Sequence, residues 1–222
     1  MSQYRVISRP QAGVLETNKV LRNTYALLAM TLLFSAAAAG VSMSLDLPHP
    51  GVIITLVGYF GLLFLTNKFS HSAWGILFVF ALTGFMGLTL GPILNLYLKH
   101  YANGGQLVAT ALGGTGLIFV GLSLYALASR KDFSFMGGML MAGILVAFIA
   151  GLIGLFVPMP GLQIAVSAMF ILLMSGMILW QTSEIVHGGE NNYILATVSL
   201  YVAIFNLFTS LLQILGIFSN DD

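Results

Sequence analysis

Between residues 25 and 218 the chain carries only eight charged side chains, and all but Glu184 fall where the apolar sequence breaks. Asp46, Lys68, Lys99, the Arg130-Lys131-Asp132 triplet and Glu190 separate seven apolar stretches, at about 25–45, 51–67, 73–98, 107–128, 135–157, 162–186 and 194–218. Each is close to the roughly 20 residues a helix needs to cross a hydrocarbon core about 30 Å thick. A soluble domain with about a quarter of its residues charged could not be built this way, because this chain is 7% charged and 58% apolar. The solvent for most of it is lipid. The sequence therefore predicts an all-α membrane protein, a bundle of seven transmembrane helices spanning residues 25–218. A cytoplasmic tail (1–24) precedes the bundle and four residues (219–222) follow it.

Turn chemistry marks the joints: Pro48-His49-Pro50-Gly51, Asn103-Gly104-Gly105, Pro158-Met159-Pro160-Gly161 and His187-Gly188-Gly189. The connections are too short for a soluble domain. The third stretch contains Gly91-Pro92, so one backbone carbonyl there loses its helical donor and needs another from a neighbouring helix. The amino-terminal tail lacks the compact apolar core of a signal peptide. With that tail inside, Lys and Arg divide seven to one, since Arg5, Arg9, Lys19, Arg22, Lys68, Arg130 and Lys131 share a side and Lys99 stands alone. This asymmetry predicts a cytoplasmic amino terminus, and an odd number of spans puts Asp221 and Asp222 in the periplasm. The net charge of +1 offers no basic field for nucleic acid, and the absence of cysteine removes disulfides and thiolate metal sites.

Few residues can carry chemistry. Glu184 is the one carboxylate within a span, near the cytoplasmic end of the sixth. An ionisable group there is a functional candidate by default, although interfacial hydration also explains it. Gln181 lies one turn earlier on the same face and makes a polar patch with it, suited to a partner contact or an ion path. In the seventh span Ser199, Asn206, Ser210 and Gln213 fall on one helical stripe, which must face protein or water. Gly84, Gly87 and Gly91 share a face of the third span, and their spacing suits close packing inside the bundle. Glu184-x-x-His187 has the spacing of a di-iron ligand pair, but no other span supplies carboxylates, so no metal site is expected. His187 is read instead as meeting the carbonyls at its helix end. Gly121-Leu122-Ser123 has no buried histidine to activate the hydroxyl, and Gly113-Gly114-Thr115-Gly116 follows no strand. Neither catalysis nor a cofactor is expected.

Three strings resemble a known family: Thr83 to Ile93 (TGFMGLTLGPI), Asp132 to Gly138 (DFSFMGG) and Ser199 to Phe208 (SLYVAIFNLF). Together they look like the transmembrane Bax inhibitor motif family, over nearly the whole chain from Lys19 to Phe218. Lys19 to Tyr25 (KVLRNTY) and His187 to Tyr193 (HGGENNY) are similar to a proteobacterial branch whose members modulate the membrane AAA protease FtsH. The resemblance implies a last helix surrounded by the other six. It also implies two functions. One is binding FtsH in the inner membrane and restraining its proteolysis of membrane proteins, with the polar tail and its Arg5, Arg9, Lys19 and Arg22 as the handle such a protease would grip. The other is a pH-sensitive calcium or cation leak controlled by paired Asp residues on the last two helices. Where that pair is expected, this sequence has Gln181 and Ala203, neither of which binds or releases a proton in this range.

Overall fold

The structure is a computed structural model, and it describes residues 14–157 and 159–219. Seven helices follow one another: α1 (Val14–Ser44), α2 (Val52–Lys68), α3 (Ala73–His100), α4 (Gly104–Ser129), α5 (Gly137–Phe156), α6 (Pro160–Val186) and α7 (Tyr193–Ser219). A single 3-10 turn, Ser134–Met136, leads into α5. No strand occurs among the described residues.

Six of the helices are long and apolar enough to span a bilayer, whereas α2 has 17 residues. That is the lower limit for a crossing. Hydrogen bonds at the helix ends show that α2 nevertheless runs from one end of the bundle to the other. At one end of the bundle Asn95 donates to the Met43 carbonyl and to Asp46 (both 3.1 Å), and Lys99 donates to Asp46 at 2.7 and 2.9 Å. At the opposite end of α3, Asn192 donates to the Ser70 carbonyl at 3.1 Å, and His187 meets the Arg130 carbonyl at 3.0 Å. Ser219 reaches Asn103 at 3.1 Å back at the first end. The α1–α2 and α3–α4 connections thus share one end with the close of α7, and the α2–α3, α4–α5 and α6–α7 connections share the other. Lys99 holds the Asp46 carboxyl below its ordinary range through their hydrogen bond and charge. This pair is exposed, so it orients the loop more than it stabilises the bundle.

α1 starts at Val14, well before the apolar stretch begins near residue 25. No Gly or Pro interrupts residues 14–39, so helix propensity carries α1 through its polar first turns. Lys19 and Arg22 are exposed on those turns. Arg5 and Arg9 lie outside the described residues, as do Asp221 and Asp222.

α1 and α3 form a closely packed pair. Gly84 faces the Phe34 ring, Gly87 lies against the Ser35 carbonyl oxygen, and Gly91 lies against Ser42. The glycine face is therefore used inside the bundle, where small residues let helix backbones approach. Ser42 does a second job. Its hydroxyl donates at 2.9 Å to the Leu88 carbonyl, the acceptor left without a helical donor by Pro92.

α7 packs directly on α1, α3, α4 and α6. Its apolar window is 61% buried, against 11% for α5, so it is the central helix. Within this enclosure α2 leans mainly on α3 and α5 on α6, and their side chains, rather than their backbones, approach α7. The interior is rich in hydroxyls. Thr31, Thr115 and Thr197 turn theirs to their own helix carbonyls at 2.7 to 2.9 Å, which removes the cost of burying them.

Candidate functional site

Three polar groupings sit along α6 and α7. The first was not visible in the sequence. Tyr201 is 1% exposed in the middle of α7, where its phenol accepts from Ser35 at 2.6 Å and donates to the Thr83 carbonyl at 3.2 Å. A buried tyrosine hydroxyl needs partners, and these come from α1 and α3. The side chain therefore clasps three helices at one depth. A tyrosine in an apolar run counts as apolar in any hydropathy pattern, so the only signal for this clasp was the need of a mid-span phenol for a donor or acceptor.

The second grouping closes the end of α6. Gln181 and Thr182 are buried, and Thr182 meets the Tyr25 hydroxyl of α1 at 3.3 Å. Ser183 accepts from the Phe133 N–H at 3.0 Å and donates to the Lys131 carbonyl at 3.2 Å. His187 has its Nδ1 2.9 Å from the Ser183 carbonyl and its Nε2 3.0 Å from the Arg130 carbonyl. The α4–α5 connection is thereby stapled to the α6 terminus, and His187 meets carbonyls as its position at a helix end suggested. Glu184 is half-buried, and its carboxylate packs directly against Gly189. Gln181 and Glu184 thus share a helix face but not an environment. Asn192 then starts α7 by accepting from the Ile194 N–H at 2.9 Å, the geometry of an N-cap.

The third grouping is the α7 stripe, which the structure divides. Ser199 and Asn206 line a cavity of about 680 Å³ bounded by α2, α3, α5, α6 and α7. Ser210 is buried, and Gln213 accepts from Ser167 of α6 at 2.9 Å. The Asn206 amide donates to the Val202 carbonyl on its own helix at 2.8 Å. One member of the stripe makes a helix-to-helix bond, and two face open space.

Ala203 is fully buried and lines the same cavity. With Gln181 and Ala203 at these positions, no carboxylate pair exists to hold a shared proton. Calcium flux through the purified protein in dye-loaded liposomes is accordingly expected to stay low and nearly flat as pH is varied. Flux that changes steeply with pH and disappears in Glu184→Gln would instead make Glu184 a gate.

Comparison with known proteins bears on this arrangement as a whole. The Bax1-I family, described as Inhibitor of apoptosis-promoting Bax1, matches residues 17–220. The Modulator of FtsH protease YccA of Escherichia coli (strain K12) is 56% identical over 214 residues, covering 96% of this chain and 97% of that protein. The Inner membrane protein YccA of Escherichia coli O6:H1 matches to the same extent. A protein of Pasteurella multocida is 50% identical over 222 residues, the whole of both chains. The chain belongs to the Bax1-I family.

Proposed function

We propose, with membership of the Bax1-I family as the premise, that this protein is an inner-membrane regulator that binds the AAA protease FtsH and restrains its proteolysis of membrane proteins. The observation that carries this reading is the 56% identity, over nearly the full length of both chains, to a protein named as a modulator of that protease. The role is regulatory rather than catalytic.

The fold supports a physical route. A protease that unfolds membrane proteins by pulling needs a polar end on its own side of the membrane. The positive-inside rule puts the amino terminus in the cytoplasm, with Lys19, Arg22, Lys68, Arg130 and Lys131 at the same end of the bundle and Lys99 alone at the other. Residues 1–13, with Arg5 and Arg9, lead into α1, and exposed Lys19 and Arg22 extend the basic approach. Pulling on this end loads α1. α1 is held by the glycine seam of α3, by the Ser42 bond to Leu88, by Tyr201 and by Thr182. These contacts must break together, so extraction is slow and the gripped chain occupies the protease in place of other substrates.

The test is turnover of an independent membrane substrate of FtsH in cells overproducing this chain. Slowed turnover, with FtsH co-purifying, is expected. A reporter fused after Asp222 and functional only in the periplasm checks the orientation in the same cells. Unchanged turnover without co-purification would overturn the reading.

A further inference from the structure

α2 and α5 flank α7 without close backbone contact along it, and the two touch each other through the Phe60 and Phe148 rings, edge to face at 5.8 Å. Behind that contact lies the cavity of about 680 Å³, whose inner wall is the 198–206 face of α7. The size is within the range of small-molecule pockets, roughly 300–1,000 Å³. Its walls come from α2, α3, α5, α6 and α7, starting at Thr55 near the beginning of α2.

The wall chemistry is mostly apolar. Three polar side chains at the wall are turned back to their own backbones: Thr55 donates to the Gly51 carbonyl, Thr89 to the Met86 carbonyl and Asn206 to the Val202 carbonyl, each at 2.8 Å. The threonine donors are thus used, whereas Asn206 keeps a second N–H and its amide oxygen, and Ser199 and Tyr59 add hydroxyls to the wall. The rest of the lining is dominated by aliphatic, aromatic and Met side chains. An opening walled mainly by such side chains and facing lipid favours hydrocarbon over water.

The cavity is also continuous with the lipid-facing surface. Phe60, Met141 and Leu145 are exposed on the outside of the bundle and line the cavity as well. A single hydrocarbon chain is thin enough and is the material on the other side of the opening.

We propose that this cavity is a binding site for one acyl chain of a membrane phospholipid, which enters sideways between α2 and α5 and lies against the Ser199 to Asn206 face of α7. The chain completes the packing of the central helix on the side where protein does not, and it braces α2 and α5 against the bundle.

The full-length protein in liposomes doped with a phospholipid carrying a mid-chain diazirine provides the test. Irradiation and peptide mass spectrometry are expected to place adducts on residues 198–206 of α7, besides those on outward residues such as Leu33 and Leu117. Val202→Phe, which fills the space from its inner wall, is expected to lower the α7 adducts at least tenfold and leave those at Leu33 and Leu117 unchanged. Adducts confined to the outer faces of the wild-type protein, or α7 adducts that persist in Val202→Phe, would overturn the proposal. The second measurement needs no bulky variant. The chain has no native cysteine, so Asn206→Cys reports on this wall alone. The expected result is resistance to a charged, water-soluble thiol reagent. Rapid modification would show an aqueous cavity and overturn the proposal independently.

Discussion

Removing residues 2–13 is expected to abolish restraint of FtsH while the shortened protein accumulates in the membrane at the wild-type level. The reason lies in where the bundle contacts begin. Among the described residues of α1, the first buried side chains are Thr24, Leu27 and Leu28, all beyond exposed Lys19 and Arg22. The deletion stops short of α1, which starts at Val14, so none of the packing described above is touched. Orientation survives as well, because Lys19, Arg22, Lys68, Arg130 and Lys131 still oppose Lys99. What disappears is the polar segment leading into the bundle, with Arg5 and Arg9. Turnover of an independent membrane substrate, measured beside the abundance of both chains, is expected to return to the rate seen without overproduction. Equal slowing by the full-length and shortened chains would show that the amino terminus is not the handle. The contact would then be sought at the α6 terminus, where Gln181 and Glu184 lie close to the stapled α4–α5 connection.

The spans were legible because hydropathy measures how much helix lies in hydrocarbon. The stretches read at 51–67, 73–98 and 194–218 correspond to α2 (Val52–Lys68), α3 (Ala73–His100) and α7 (Tyr193–Ser219). The same logic hid the start of α1, whose first turns are polar and lie beyond the apolar stretch. Position within the bundle was partly encoded too. α5 is the most apolar of the candidate spans and the least buried, as expected of a helix that meets mostly lipid, and it carries no Ser or Thr to bond its neighbours.

The α7 stripe shows where sequence periodicity stops. Spacing put Ser199, Asn206, Ser210 and Gln213 on one side of the helix, but it could not say that Gln213 meets Ser167 while Ser199 and Asn206 face a cavity. That division depends on α2 and α5 standing away from α7, which is a property of how other helices pair. Tyr201 escaped for a related reason. Its partners Ser35 and Thr83 are 166 and 118 residues away in sequence, and no local pattern connects them.

The largest loss of stability is expected from Gly87→Leu, and the three glycines of the seam are not equivalent in this respect. At Gly84 a Cβ would lie 2.7 Å from Cε1 of Phe34, the far end of a side chain that can turn away. At Gly87 it would collide with the Ser35 carbonyl oxygen, which is backbone in the middle of α1 and cannot yield. α1 and α3 must then move apart. Separation also loosens the Ser42 bond to the Leu88 carbonyl and the Tyr201 clasp on Ser35 and Thr83. Overpacking of a tight interface costs about 1–3 kcal/mol, and membrane helix-to-helix hydrogen bonds contribute roughly 0.6–2 kcal/mol each. A loss of about 3 kcal/mol or more is therefore expected, a large share of a typical stability of about 5–15 kcal/mol. Thermal melting of the detergent-solubilised protein reads this directly. Gly61→Ala, where a Cβ would meet nothing within 4 Å, serves as the neutral control. A Gly87→Leu melt matching that control would show that the seam does not hold α1. The two variants also separate grip from resistance. A chain without residues 2–13 should persist and fail to restrain the protease, whereas Gly87→Leu should still be gripped, be extracted quickly and be degraded as an ordinary substrate. Restraint by Gly87→Leu at the wild-type level would mean that slow extraction is not how FtsH is held.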